Sequence, residues 1–216
     1  MGYTLDLECL SIQEYKELLK QQNLLPSRKI LLNNIDDNFL LFKKRDINTV
    51  GQLKKSFSTP TRMANVVANT GITEEYLIIL NREVSSLVQK PVLLSSFPNS
   101  DIKLLENLSA VGIKNSKDYW ELKQDPSDDL FCLCDLVRIN GIGPVAARAF
   151  FEAGYKSIND VAAADAANML ARVTIVNEIK CYYKAKLVQK DMQFCIDFAL
   201  LLQRYSVWNN TFYKGA

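Results

Sequence analysis

The chain has 216 residues with 26 Lys and Arg against 24 Asp and Glu, a net charge of +2, so any nucleic-acid or membrane surface must be local rather than a property of the whole molecule. Its 48% hydrophobic and 23% charged content is that of a soluble globular protein of one large or two small domains. It contains no histidine, which excludes Ser-His and Cys-His nucleophiles, histidine bases and histidine-containing zinc sites.

Five cysteines, an odd number, point to reduced thiols in a cytoplasmic protein. The close pair Cys132-x-Cys134 has no partner pair at metal-ligand spacing and reads as two buried thiols, so no metal and no cofactor are expected. No basic-plus-apolar leader opens the sequence, and the most apolar run, FALLL at 198–202, is too short to span a bilayer.

In chain order, Ser11-Ile12-Gln13-Glu14 has capping-box spacing and predicts a helix with Tyr15, Leu18 and Leu19 on one face, ended at Leu24-Leu25-Pro26-Ser27. Thr73 caps a helix whose first turn holds Glu74 and Glu75, with Tyr76, Leu77 and Leu80 inward. Ser100 is expected to cap a helix with Ile102, Leu105 and Leu108 inward, closed by Gly112. Ser157-Ile158-Asn159-Asp160 is an acidic capping box, and Asp165 starts another turn. From Ile175 to about Trp208 the residues are all compatible with helix, with a break expected near 189–191. Met192, Cys195, Ile196 and Ala199 form one apolar stripe there, and Phe194, Phe198 and Leu201 another. Such a helix is buried core or, through residues 192–208, a surface for a protein partner or homodimer.

No alternating strand pattern is present. The expectation is an all-α fold of repeated helix corners with a C-terminal helical segment. Pro91, Pro98 and Pro126 punctuate the middle, and a boundary near Gln89-Lys90-Pro91 divides the chain into 1–90 and 91–216.

A short module recurs at Gly154-Tyr155-Lys156-Ser157, Gly112-Ile113-Lys114-Asn115 and, more weakly, Asp46-Ile47-Asn48-Thr49. Each copy places a residue tolerant of left-handed backbone first, then an apolar residue to bury, then a polar cap for the next helix. The spacing is uneven, which excludes a regular solenoid.

Gly141-Ile142-Gly143 forms a tight hairpin, with Ile142 directed inward. Pro144 takes the first helical position, Ala147 lets two helices approach closely, and Gly154 ends the helix. Ile139, Gly141, Ile142, Gly143 and Ala147 match the helix-hairpin-helix pattern, hydrophobic-x-Gly-hydrophobic-Gly-x-x-x-Ala. Many such motifs hold DNA without sequence preference, the backbone amides at the second helix's start donating to phosphate. The resemblance marks 91–216 as a helix-hairpin-helix domain and 1–90 as a helical domain with a divergent corner. More widely, the LLPSRKILL segment, the three corners and the tyrosine-containing C-terminal helices resemble a bacterial helix-hairpin-helix family catalogued as a domain of unknown function (four-three-three-two). One departure stands out: where DNA-binding members of the motif class often carry Lys or Arg, two residues after the second glycine, this chain has Val145. Arg148 lies one turn on, and Lys156 is at the next corner.

Positive charge collects in two stretches. Residues 43–62 hold Lys43, Lys44, Arg45, Lys54, Lys55 and Arg62 against Asp46 alone; residues 138–190 hold eight cations against four acids, with Tyr182 and Tyr183 interleaved. The candidate nucleic-acid-binding residues are therefore Gly141, Ile142, Gly143, Val145, Arg148 and Lys156 at the hairpin, with Lys43, Lys44, Arg45, Lys54 and Lys55 at the weaker corner. The function expected is non-enzymatic, sequence-tolerant binding of DNA or another nucleic acid. The alternative is a protein-interaction or scaffold module in which the hairpins only connect helices. Enzymatic readings rest on Asp36-Asp37 and Asp128-Asp129, which as neighbours point about 100° apart on a helix and suit caps better than catalysis.

Overall fold

The structure, a computed structural model, describes residues 2–22 and 24–206. The last two residues of the expected partner segment, 207 and 208, fall outside the described residues. Among these residues the fold is all-α. Extended pairing is limited to two isolated bridges, Ser11 with Thr49 and Leu93 with Asn115. The chain divides between Val88 and Gln89, and residues 2–4 pack with the later unit rather than with 1–90.

The earlier unit, Leu5–Val88, contains α1 (Ile12–Gln21), a 3-10 stretch at Pro26–Leu32, α2 (Ile35–Lys43), α3 (Val50–Ser56), α4 (Pro60–Thr70) and α5 (Glu74–Ser86). Local chemistry sets most of the starts. Ser11, Thr49, Thr59 and Thr73 each accept a first-turn amide with their side-chain oxygen, and Pro60 takes the first position of α4. The core is built from Tyr15, Leu19, Phe42, Leu53, Leu77 and Leu80, all buried, with Phe42 edge-on to both Phe39 and Phe57.

The later unit contains α6 (Ile102–Ala110), α7 (Ser116–Lys123), α8 (Asp129–Leu136), α9 (Pro144–Glu152), α10 (Ile158–Ala162), α11 (Ala166–Lys180) and α12 (Gln189–Tyr205). Here α12 packs on α10 and α11, and α9 on α8 and α11. The apolar stripes of α12 are mostly spent on this packing: Met192, Cys195, Ile196, Phe198, Ala199 and Leu201 are all buried, and Phe194 is half-buried. That corrects the reading of 192–208 as a partner surface for these residues, because their area is already covered within the unit.

The three corner modules form as the residues dictate. Asp46, Gly112 and Gly154 take positive φ of 59°, 87° and 91°, and Thr49, Asn115 and Ser157 cap the helices that follow. Ile47 and Tyr155 are buried, whereas Ile113 is only half-buried. Two expectations fail. The cap of α6 is Asp101, which accepts from the amides of Lys103 and Leu104, while Ser100 Oγ donates to the Phe97 carbonyl; Ile102 is 71% exposed rather than inward. The C-terminal helical run breaks earlier than 189–191. α11 stops at Cys181, in the left-handed region, and residues 181–188 form a loop. Asn177 braces that loop by donating Nδ2 to the Tyr183 carbonyl and accepting the Tyr183 amide on Oδ1.

Candidate nucleic-acid interface

The segment leading into the Gly141 hairpin is fixed by a buried polar network at the end of α8. The Asp135 carboxylate accepts Trp120 Nε1 at 2.8 Å on one oxygen and the Ile158 amide, at the start of α10, at 2.8 Å on the other. It also pairs with the Arg138 guanidinium. Arg138 is 2% exposed, donates from Nε to the Tyr3 carbonyl at 2.8 Å and lies 4.3 Å from the Trp120 ring. Burial pulls Arg138 below its ordinary value, and the Asp135 charge opposes that shift. Arg138, counted above among the cations of 138–190, is thus an internal tether for residues 2–4 and not surface charge.

Beyond the tether the chain turns at Gly141, whose φ is 86° and which a side chain would strain. Ile142 is 5% exposed and its amide donates to the Ile139 carbonyl, so it plugs the turn from inside. Ala147 is fully buried, consistent with close helix approach. Gly143 has ordinary φ of −84°, and a methyl group there would meet nothing within 4 Å. The outer side of the second glycine is open.

The start of α9 differs from every other described α-helix. It has no side-chain cap and no acidic residue in its first turn. The other uncapped starts, those of α2 and α12, carry Asp36 with Asp37 and Asp191 respectively; the rest are capped by side-chain oxygens. First-turn amides have no intrahelical acceptor, and the helix dipole makes that end attractive to anions. At α9, Pro144 removes one donor and leaves the amides of Val145 and Ala146 with no chain-supplied cap.

The remaining candidates fall into separate groups. Val145, 38% exposed, stands beside the hairpin. Arg148 is half-buried, with Nε donating to the Pro98 carbonyl at 3.0 Å. Its guanidinium and the exposed Lys156 ammonium lie 5.7 and 5.1 Å from the Phe151 ring. Lys156 is therefore gathered with Arg148 around Phe151, toward the far end of α9 from Gly143. The tyrosines interleaved with positive charge serve the fold: Tyr182 donates its hydroxyl to Glu152 at 2.6 Å, and burial with that bond pushes it up to about 12.

In the earlier unit, Lys43, Lys44 and Arg45 are exposed at the end of α2, where cations complement the helix dipole. Lys54 is half-buried, and Lys55 Nζ meets Glu8 at 2.6 Å. One member of each acidic pair has a structural contact. Asp36 pairs with Lys16 and Lys20, which hold its carboxyl below the usual range, and Asp128 caps α8.

Two features were not predicted from the sequence. Phe194 on α12 lies 3.8 Å from the Cβ position of Gly141, and the exposed Lys190, four residues earlier, shares that helical face. The α4–α5 corner also repeats the hairpin's turn: Gly71 has φ of 71°, Ile72 is buried and Thr73 is the cap. Its signal was the Gly-Ile-Thr run itself, which differs from Gly-Ile-Gly only in supplying its own capping oxygen.

A family model described as a SAM-like helix-hairpin-helix tandem matches residues 135–180. The match starts at Asp135 and runs to the end of α11, taking in the hairpin and the Gly154 corner. No curated protein and no solved structure matches the chain. Helix-hairpin-helix motifs are commonly nucleic-acid binding. No helix among the described residues is long and apolar enough to cross a membrane.

Proposed function

We propose that this chain is a non-enzymatic, cytoplasmic protein that holds the nucleic-acid backbone, DNA in the first instance, without sequence preference, through the Gly141–Gly143 hairpin. The observation that carries the reading is the start of α9, where, among the described residues, neither a capping oxygen nor a first-turn carboxylate competes with a phosphate and a methyl group at Gly143 would meet nothing within 4 Å. The family match over 135–180 supports it. With Val145 in place of a cation, affinity depends on amides and on cations elsewhere, so binding is weak and falls steeply with salt.

The test uses fluorescence anisotropy of labelled duplex and single-stranded DNA at low salt, with wild type and Gly143→Asp. An aspartate at that N-cap supplies the helix with its own anion and stabilises it, so loss of binding cannot be blamed on unfolding. Loss of binding with an unchanged or higher melting temperature is expected. Absence of wild-type binding to any DNA or RNA form, or equal binding by the variant, would refute the proposal. A protein-interaction role draws support from exposed apolar side chains on α6 and α11, Ile102 and Ile179 at 71% and 72% exposure; a copurifying protein displaced by Ile179→Lys would favour it.

A further inference from the structure

The Asp46 corner of the earlier unit contains an anion of the protein's own. Glu8 Oε1 lies 2.6 Å from Lys55 Nζ, and Glu8 Oε2 accepts the Thr49 hydroxyl at 3.2 Å. The carboxylate rests against Gly51, in the first turn of α3, so closely that a methyl group there would lie 2.5 Å from the carboxyl carbon and 2.6 and 2.8 Å from its oxygens. Gly51 has ordinary backbone geometry, since it is not among the positive-φ glycines. A methyl group at Gly51 would therefore meet only the far end of the flexible Glu8 side chain, and it would displace that carboxylate rather than strain a turn. Ammonium, hydroxyl and a bare Cα form a seat for an oxyanion, at the corner that also carries Lys43, Lys44 and Arg45. Those three and Lys54 have no acidic ion-pair partner among the described residues.

The seat's occupant is held loosely. The Lys55 and Glu8 side chains are 71% and 48% exposed, and exposed pairs of this kind are close to balanced with water. A phosphate oxyanion offers the same acceptor chemistry with stronger charge. We propose that Glu8 is an internal stand-in for phosphate, closing an oxyanion seat formed by Lys55 Nζ and Thr49 Oγ1 over Gly51, so that a phosphate group binds this corner by displacing Glu8. As far as the phosphate belongs to a nucleic-acid backbone, this rests on the binding function proposed above, and Glu8 then attenuates the second of its two basic regions.

Two variants of the full chain remove the seat's own anion by different routes. Glu8→Gln removes the charge while keeping the shape. Gly51→Ala expels the carboxylate sterically, and it places a better helix former in α3, which guards against misfolding. Inorganic phosphate is titrated into wild type and both variants while the Thr49, Gly51 and Gln52 amides are followed by 15N NMR. In parallel, anisotropy with a labelled duplex is recorded between 50 and 200 mM salt. Phosphate-dependent shifts at these amides are expected in both variants at concentrations that leave wild type unchanged. The slope of log affinity against log salt should steepen by about 0.9, the value for neutralising one more backbone phosphate. Amides that stay unresponsive in both variants while the duplex still binds wild type overturn the seat and leave the binding function standing. Phosphate-dependent shifts without duplex binding by any form uphold the seat and overturn the nucleic-acid reading.

Discussion

Asp135→Ala strikes the network that anchors the hairpin. The carboxylate takes the indole N–H of Trp120, the Ile158 amide and the Arg138 guanidinium. Its removal leaves an arginine at 2% exposure with its charge uncompensated and two further buried donors unpaired. Breaking a buried ion pair by deleting one partner costs about 3–5 kcal/mol, and each orphaned donor adds about 1 kcal/mol or more, so the upper end of that range is expected. With a urea m-value of about 2 kcal/mol/M, the unfolding midpoint of the later unit should fall by about 2.5 M. Trp120 fluorescence reads this unit directly in a Trp208→Phe background, which leaves one of the two tryptophans. The double variant Asp135→Ala/Arg138→Met removes both charges and should recover much of the loss, because the penalty lies in the stranded arginine more than in the missing pair. A single-variant cost below about 1 kcal/mol, or a double variant whose losses simply add, would show that Arg138 reaches water and that the tether is not closed.

Val145→Lys restores the cation at the hairpin position where this chain departs from the DNA-binding pattern; at 38% exposure the site accepts it, and anisotropy should show a salt slope steeper by about 0.9. Asp36→Asn removes a carboxylate held low first by Lys16 and then by Lys20. A lowered folded-state pKa gives stability that is complete above the unfolded value near 3.9 and fades as pH falls through the folded one, so the melting-temperature gap to wild type should be full at pH 6 and close progressively below about pH 4. Thiol labelling at pH 8 should modify Cys9 and Cys181 quickly, as both are exposed. Cys132 and Cys195, pushed up by burial to about 11 and about 12, should react only on unfolding.

Much of the fold is legible because it is written in local chemistry. Gly154 after α9, Pro144 at its start and the caps Ser11, Thr73, Ser157 and Asp165 act within a few residues, so spacing alone identifies them. Features decided by distant contacts are not legible in this way. Arg138 is exchanged from surface to core by the carbonyls of Gly2 and Tyr3, more than 130 residues away in the sequence. The break at 181–188 contains neither glycine nor proline, and follows from Asn177 holding Tyr183 and Glu152 holding Tyr182. Helical periodicity placed Ile102, Leu105 and Leu108 on one face, but periodicity does not say whether anything packs on that face, and α6 has no buried residue.

The candidate site is legible for the opposite reason: a local rule is broken there. Serine, threonine, asparagine or aspartate begins nine of the twelve described α-helices with a capping bond, and Thr73 shows that the same Gly-Ile turn accommodates such a cap. Gly143 forgoes it. Glycine at an N-cap costs only a few tenths of a kcal/mol relative to those residues, a small loss of stability against the access it leaves at the first-turn amides. The Asp46 corner shows the contrasting arrangement, in which Thr49 caps the helix and Glu8 fills the space over Gly51 with a carboxylate. Exchanging the two arrangements, with Gly143→Asp at one corner and Glu8→Gln at the other, should therefore move anion binding from the hairpin to the Asp46 corner with little change in helix content. Binding that stays at the hairpin after this exchange would mean that open amides are not what draws the anion there.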